Sequence, residues 1–400
     1  MFQTTKRKAL IVISIVVVVG IVTTLLILLL RPEQGGNTQN AVPVRFIGDG
    51  CVTDQGIYFN TSSNLAIRFY DIQAQKTVYL CTKPNCQHKA PRDPLNLQEG
   101  DCEAYFTNGG QMMSFDGKLY YTYSVSYNQN DVYQCEPDGT NRRKVGTIKG
   151  EISSFGNCLK DGKFYYVCRV FDEQSIGEWT ETIQSFDLAS GRVKSLTETI
   201  RTTETSYERY SLCGFYGDQM LYRVNKYSDE MDEGLLLALN PENGEQTTLL
   251  TAKSGDIGSL YMLDTQLLVQ IESGDAPGLY DVNPETGEMR QEELPFGDKE
   301  VFLGMLDGKY YTRMWLETPD KGPEEQDDYC YRFYKPGQSD YIEVNPKIDE
   351  EYLFRINDET KDFFIGYAQD RQGVFRDLVV INKQAFYSGQ KEYIFLSQAG

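Results

Sequence analysis

Asp116-Gly117-Lys118-Leu119-Tyr120-Tyr121-Thr122 recurs as Asp161-Gly162-Lys163-Phe164-Tyr165-Tyr166 and as Asp307-Gly308-Lys309-Tyr310-Tyr311-Thr312. Asp-Gly tolerates positive φ at both central positions of a two-residue turn, as a type I′ hairpin requires. The aromatic residues that follow suit a strand. Looser copies keep the outline: Gly217-Asp218-Gln219-Met220-Leu221-Tyr222, Asp264-Thr265-Gln266-Leu267-Leu268, an opening Asp54-Gln55-Gly56-Ile57-Tyr58-Phe59 and a closing Asp358–Phe364. The seven starts, at 54, 116, 161, 218, 264, 307 and 358, lie 43 to 62 residues apart.

A second turn recurs after six of the seven hairpins: Pro137-Asp138-Gly139, Ala189-Ser190-Gly191, Pro241-Glu242-Asn243-Gly244, Pro284-Glu285-Thr286-Gly287, Lys335-Pro336-Gly337 and Ser388-Gly389-Gln390. In the fifth repeat the strands read as Ile257–Leu263, Leu267–Ile271, Leu279–Val282 and Met289–Glu292. Seven such units tile residues 44–397. Four-stranded units of this size, arranged radially, leave few exposed edges. The expected fold is therefore all-β, a seven-bladed β-propeller, with six or eight blades as near alternatives. A pair of β-sandwiches also suits short strands, but the fixed order of the two turns favours the propeller. No amphipathic helix is expected.

Lys6, Arg7 and Lys8 precede an uncharged apolar run from Ala9 to Leu30, closed by Arg31. At about 1.5 Å per residue, a helix of this length spans a hydrocarbon core of roughly 30 Å. A cleaved signal peptide has a shorter apolar region and ends at small residues, whereas this run ends Leu28-Leu29-Leu30-Arg31-Pro32. The expected organisation is a cytoplasmic tail over 1–8, one transmembrane helix over 9–30, a linker over 31–43 and an extracytoplasmic propeller over 44–400. Flanking charge places the N-terminus in the cytoplasm and the bulk of the chain outside the cell.

The 400 residues carry 39 Lys+Arg against 58 Asp+Glu, a net −19. The first 31 residues hold four bases and no acids, so the remainder carries 35 against 58, or −23. This excess disfavours nucleic acid and anionic lipid as partners, leaving the single helix to hold the membrane. A single histidine, His88, limits histidine-based triads and multi-histidine metal sites.

The Asp-Gly-Lys-x-Tyr-Tyr repeats are similar to propellers of low-density-lipoprotein-receptor type. The Trp and Asp of that motif are absent, so receptor-like ligand binding does not carry over. With Val78–His88, then Cys102-Glu103-Ala104-Tyr105, and the N-terminal anchor, the chain more closely resembles membrane-anchored, largely uncharacterised extracytoplasmic propeller proteins of clostridial Gram-positive bacteria. The resemblance covers nearly the whole chain. It implies the fold and an extracytoplasmic location, and no established activity.

Nine cysteines are present: Cys51, Cys81, Cys86, Cys102, Cys135, Cys158, Cys168, Cys213 and Cys330. Cys81, Cys86, His88 and Cys102 form C-x4-C-x-H-x13-C. Three thiolates and an imidazole are a structural zinc set. A disulfide of Cys81 or Cys86 with Cys102, and free thiols, stay open beside it. In each case the group staples the longest step between repeats. Cys135, Cys158, Cys168 and Cys330 read as buried small hydrophobes.

In a propeller the connections between second and third strands (b–c) and between blades (d–a) share one end. The b–c connections read as Ser124–Asp131, Phe171–Glu178, Asn225–Gly234 and Glu317–Asp328. Three are acidic, and Trp179, Trp315, Tyr127 and Tyr227 lie beside them. This end is the expected ligand-binding face, for a protein or glycan partner or, at the acidic loops, Ca²⁺. No phosphate-cradling loop and no G-x-S-x-G elbow occurs, and no residue is assigned a catalytic role. The expected function is a non-catalytic binding, scaffolding or sensory ectodomain. The alternative is an extracytoplasmic propeller hydrolase or lyase acting on polysaccharide.

Overall fold

The double Tyr of the repeat has a geometric purpose. Asp116 and Gly117 sit at φ +47° and +68°, Asp161 and Gly162 at +50° and +72°, and Asp307 and Gly308 at +52° and +64°. These are type I′ turns, and successive side chains of the following strand point to opposite faces. Tyr120 packs toward the third repeat and Tyr121 toward the first, while Tyr165 packs toward the fourth and Tyr166 toward the second. One strand thus serves two neighbours.

This computed structural model describes residues 50–397, apart from 54, 62–63, 93–100, 106–109, 173–176, 204–205, 229–232, 263–265, 274–275, 298 and 317–328. They form seven antiparallel sheets, each in sequence order. Strands a to d of blade one are Cys51–Val52, Gly56–Thr61, Asn64–Asp71 and Lys76–Tyr79. Those of blade two are Met112–Phe115, Lys118–Ser126, Gln129–Cys135 and Arg143–Lys149. Blade three has Glu151–Lys160, Lys163–Phe171, Trp179–Asp187 and Val193–Ser195, with Ile200–Thr202 also paired to its third strand. Blade four has Ser206–Tyr216, Gln219–Ser228, Glu233–Leu239 and Gln246–Lys253. Blade five has Ile257–Met262, Leu267–Ile271, Gly278–Val282 and Met289–Gln291. Blade six has Glu300–Leu306, Lys309–Trp315, Tyr329–Tyr334 and Tyr341–Val344. Blade seven has Tyr352–Glu359, Phe363–Asp370, Phe375–Asn382 and Ile394–Phe395.

Seven apolar clusters join the blades. Six join neighbours in sequence. The seventh joins last to first, placing Ile365, Leu378, Val380 and Leu396 against Ile57, Phe59 and Tyr70. The ring is therefore closed, and the chain is a seven-bladed β-propeller. Among the described residues no strand is exchanged across the seam; Thr77 Oγ1 donates to the Leu396 carbonyl at 2.8 Å and Arg68 Nη1 to that of Ser397 at 3.4 Å. Register shifts between strands a and b in blades three to seven bend the innermost strand.

Several expectations need correction. Ser388-Gly389-Gln390 is no hairpin turn. A helix, Lys383–Tyr387, precedes it, capped by Asn382, whose side chain accepts from the Gln384 and Ala385 amides. Gly389 at φ +74° ends that helix. In blades two and four, strands b and c continue into the expected loops, leaving Tyr127-Asn128 and residues 229–232 between them. Among the described residues no helix is long and apolar enough to cross a membrane. The expected tail, membrane helix and linker over 1–43 lie outside them, as do residues 317–328 and most of the acidic loop residues.

Candidate metal centre and binding face

The longest connection runs from Tyr79 at the end of blade one to Met112 at the start of blade two. It is pinned by backbone and side chain together. The Ile67 amide donates to the Ala104 carbonyl at 2.9 Å, and Arg142 of blade two donates to the Glu103 carbonyl. Ala66, Cys102, Ala104 and Tyr105 form a small core, with Tyr79, Cys81 and Cys86 packed against it.

This packing gathers the four residues that the sequence singles out. One donor atom from each of Cys81, Cys86, His88 and Cys102 lies within 4.8 Å of all the others. His88 Nδ1 is 3.4 Å from Cys102 Sγ. The imidazole stacks on Tyr79 at 4.1 Å and 6°, and the Tyr105 hydroxyl donates to the His88 carbonyl at 3.2 Å. His88 and Asn85 adopt φ of +49° and +59°, a region non-glycine residues seldom enter. The His88 and Ala104 amides donate to Cys86 and Cys102, each two residues back. The His88 amide, followed by the neighbouring thiols and Lys83, outweighs desolvation and lowers Cys86; burial pushes the Cys102 thiol up to about 12. All nine cysteines are thiols in the structure. The donor set can hold one soft divalent cation.

The b–c end separates the four aromatic candidates into two pairs. Trp179 is built into the sheet. Its Nε1 donates to Glu181 at 3.2 Å, and the Arg169 guanidinium lies 5.1 Å over its ring. Glu181 is only 1% exposed and also accepts from Arg169 and from the Tyr210 amide. Tyr227 pairs across the sheet with Tyr207 and accepts from Asn225. Tyr127, by contrast, is 87% exposed. Its neighbour Asn128 exchanges two hydrogen bonds with the Phe171 backbone of blade three, so the turn is held rigidly. Trp315 is 39% exposed, edge-on against Tyr329 and capped by Arg313 at 4.7 Å.

Sequence reasoning missed five companions on this end: Val125, Val170, Val301, Val374 and Phe375, all exposed. The last two follow a turn in blade seven organised by Asp370, which accepts from the Gln372 and Val374 amides. An apolar pair directly after the Gly373 turn was the available signal. Elsewhere, a cavity of about 380 Å³ lies beside the inner strands of blades three to five, lined by Gly156, Cys213, Arg223 and Tyr261 among others. Arg223 donates there to the Ile257 and Gly258 carbonyls.

No family model matches the chain, and no curated protein matches it. It is similar to solved propeller-containing structures. Puromycin hydrolase shares 12% identity at a TM-score of 0.52, over 87% of this chain and 53% of that one. The β-propeller domain of the trilobed protease from Pyrococcus furiosus shares 12% at 0.48, over 88% and 95%. Oligogalacturonate lyase from Vibrio parahaemolyticus shares 13% at 0.48, over 82% and 83%. The chain thus spans about half of the hydrolase it matches. Likeness at this identity establishes the propeller fold alone.

Proposed function

We propose that this chain is a single-pass membrane protein that displays its propeller outside the cell and holds a protein partner, without catalysis, on the b–c end. One observation carries the binding role. Val125, Tyr127, Val170, Val301, Trp315, Val374 and Phe375 are exposed large apolar side chains on that one end. Exposed apolar side chains grouped on one face mark association surfaces, and aromatic residues beside arginine are the residue types enriched there. Asn128 and Asp370 hold two of the turns rigidly, so little ordering entropy opposes docking. The location rests on the uncharged run Ala9–Leu30 between Lys6–Lys8 and Arg31.

Protease treatment of intact cells bearing the full chain tests the location. Loss of residues 44–400 is expected, and full protection would reverse the orientation. Chemical crosslinking of the full chain in membranes, against the Val125→Ser/Tyr127→Ser/Phe375→Ser variant, tests the role. A loss of partner adduct of roughly tenfold or more is expected if these are anchor residues. Equal capture by both proteins would reject this face.

A further inference from the structure

We infer that Cys81, Cys86, His88 and Cys102 bind one structural zinc ion that fastens the connection between blades one and two. The inference rests on the geometry of these four residues and is independent of the partner proposed above.

The donor chemistry selects the metal. Three sulfurs and one imidazole nitrogen are soft-to-borderline ligands, and a tetrahedral set of this kind suits Zn²⁺. Zn–S and Zn–N bonds of about 2.3 and 2.0 Å imply donor separations of roughly 3.5–3.8 Å in a tetrahedron. The observed His88 Nδ1 to Cys102 Sγ separation is 3.4 Å, and no pair exceeds 4.8 Å. Shifts on the order of 1 Å complete the tetrahedron.

The surroundings are those of a metal site. Three thiolates and Zn²⁺ leave a net charge of −1. Two backbone amides already donate to sulfur, from His88 to Cys86 and from Ala104 to Cys102. Such outer contacts orient ligands and spread their charge. Lys83 stands beside the site, its Nζ donating to the Asp101 carbonyl at 2.8 Å. The stacked Tyr79 ring and the bond from Tyr105 set the imidazole plane so that Nδ1 faces the sulfurs. A disulfide would use two of the three sulfurs and give the histidine no role. All four protein donors are needed for closure, so no position remains for substrate and the role is structural.

The test is metal analysis of the full purified chain by mass spectrometry, with mapping of any disulfides. About one zinc per chain is expected. The Cys86→Ser/Cys102→Ser variant should lose it, the Cys86→His variant should keep it, and Cys330→Ser, altered in blade six, should keep it. Should the double variant fail to fold, replacement by Co²⁺ in the unmodified chain supplies a second reading. Thiolate-to-cobalt charge transfer and tetrahedral visible bands are expected. Zinc retained by the folded double variant overturns the proposal. So does metal-free protein with two of Cys81, Cys86 and Cys102 bonded, iron or copper in place of zinc, or octahedral cobalt spectra.

Discussion

Replacing Leu396 with Ala probes the closure of the ring. Leu396 is fully buried in the seam between blades seven and one, against Ile57, Phe59, Tyr70, Ile365, Leu378 and Val380. Its amide donates to the Leu378 carbonyl and its carbonyl accepts from Thr77, and a side-chain truncation leaves both bonds intact. The loss is then lost burial plus the cavity left behind, about 2–5 kcal/mol for Leu→Ala. At about 2.1 cal/mol/K per residue over roughly 350 residues, the unfolding entropy is ~0.7 kcal/mol/K, so Tm should fall by ~3–7 °C. Since no strand bridges the seam among the described residues, the loosening should stay local. Hydrogen exchange should accelerate in Gly56–Thr61, Phe375–Asn382 and Ile394–Phe395 before it does in blades three and four. The matched change Leu237→Ala, in the cluster between blades three and four, should lower Tm comparably and leave the seam protected. An unchanged Tm and unchanged exchange at Gly56–Thr61 after Leu396→Ala would refute closure by packing.

Lys383 is 8% exposed and bonds Asp307 at 3.1 Å and Glu359 at 2.6 Å, joining blade seven to the Asp-Gly-Lys turn of blade six. Lys383→Met should cost about 2–4 kcal/mol in denaturant titrations, near the range for removing one partner of a buried pair. Burial raises the Asp307 carboxyl, but Lys309 and Lys383 outweigh it and hold it below the usual carboxylate range. Its contribution is therefore complete above about pH 4 and is lost as pH falls through the depressed value; Asp307→Asn should flatten that acid limb of the stability profile. Burial lifts the Cys135 and Cys168 thiols to about 12 and Cys330 to about 11, so peptide mapping after alkylation at pH 8 should find all three unlabelled until the protein unfolds. Trp179→Phe should leave partner capture unchanged and lower stability, because the indole serves Glu181; a selective loss of capture would return Trp179 to the binding face.

The blades were legible because their signal is local. Asp-Gly turns dictate positive φ, and alternating aromatics dictate which neighbour each side chain meets. The strand limits of repeat five came within a residue of the structure. Blade one was harder, since its first strand is only Cys51–Val52. The helix Lys383–Tyr387 was missed because five residues carry no periodicity; only Asn382, a capping residue, announced it. The four-donor cluster was readable from residue type, as the sole histidine stands two places after a cysteine, but its closure depends on Tyr79 and Tyr105. The contacts of Trp179 were hidden for the opposite reason. Nothing local to it tells that Glu181 is buried beneath it and tied to Tyr210 of the next blade.

The most direct measurement is site-specific photocrosslinking of the full chain in cell membranes, with a benzophenone amino acid placed singly at Tyr127, Phe375 or Tyr341. Tyr341 begins strand d of blade six, away from the b–c end, and is also exposed. An adduct of one defined mass from positions 127 and 375, and none from 341, is the predicted result. Adducts from 341 alone, or none from 127 and 375, would contradict the account.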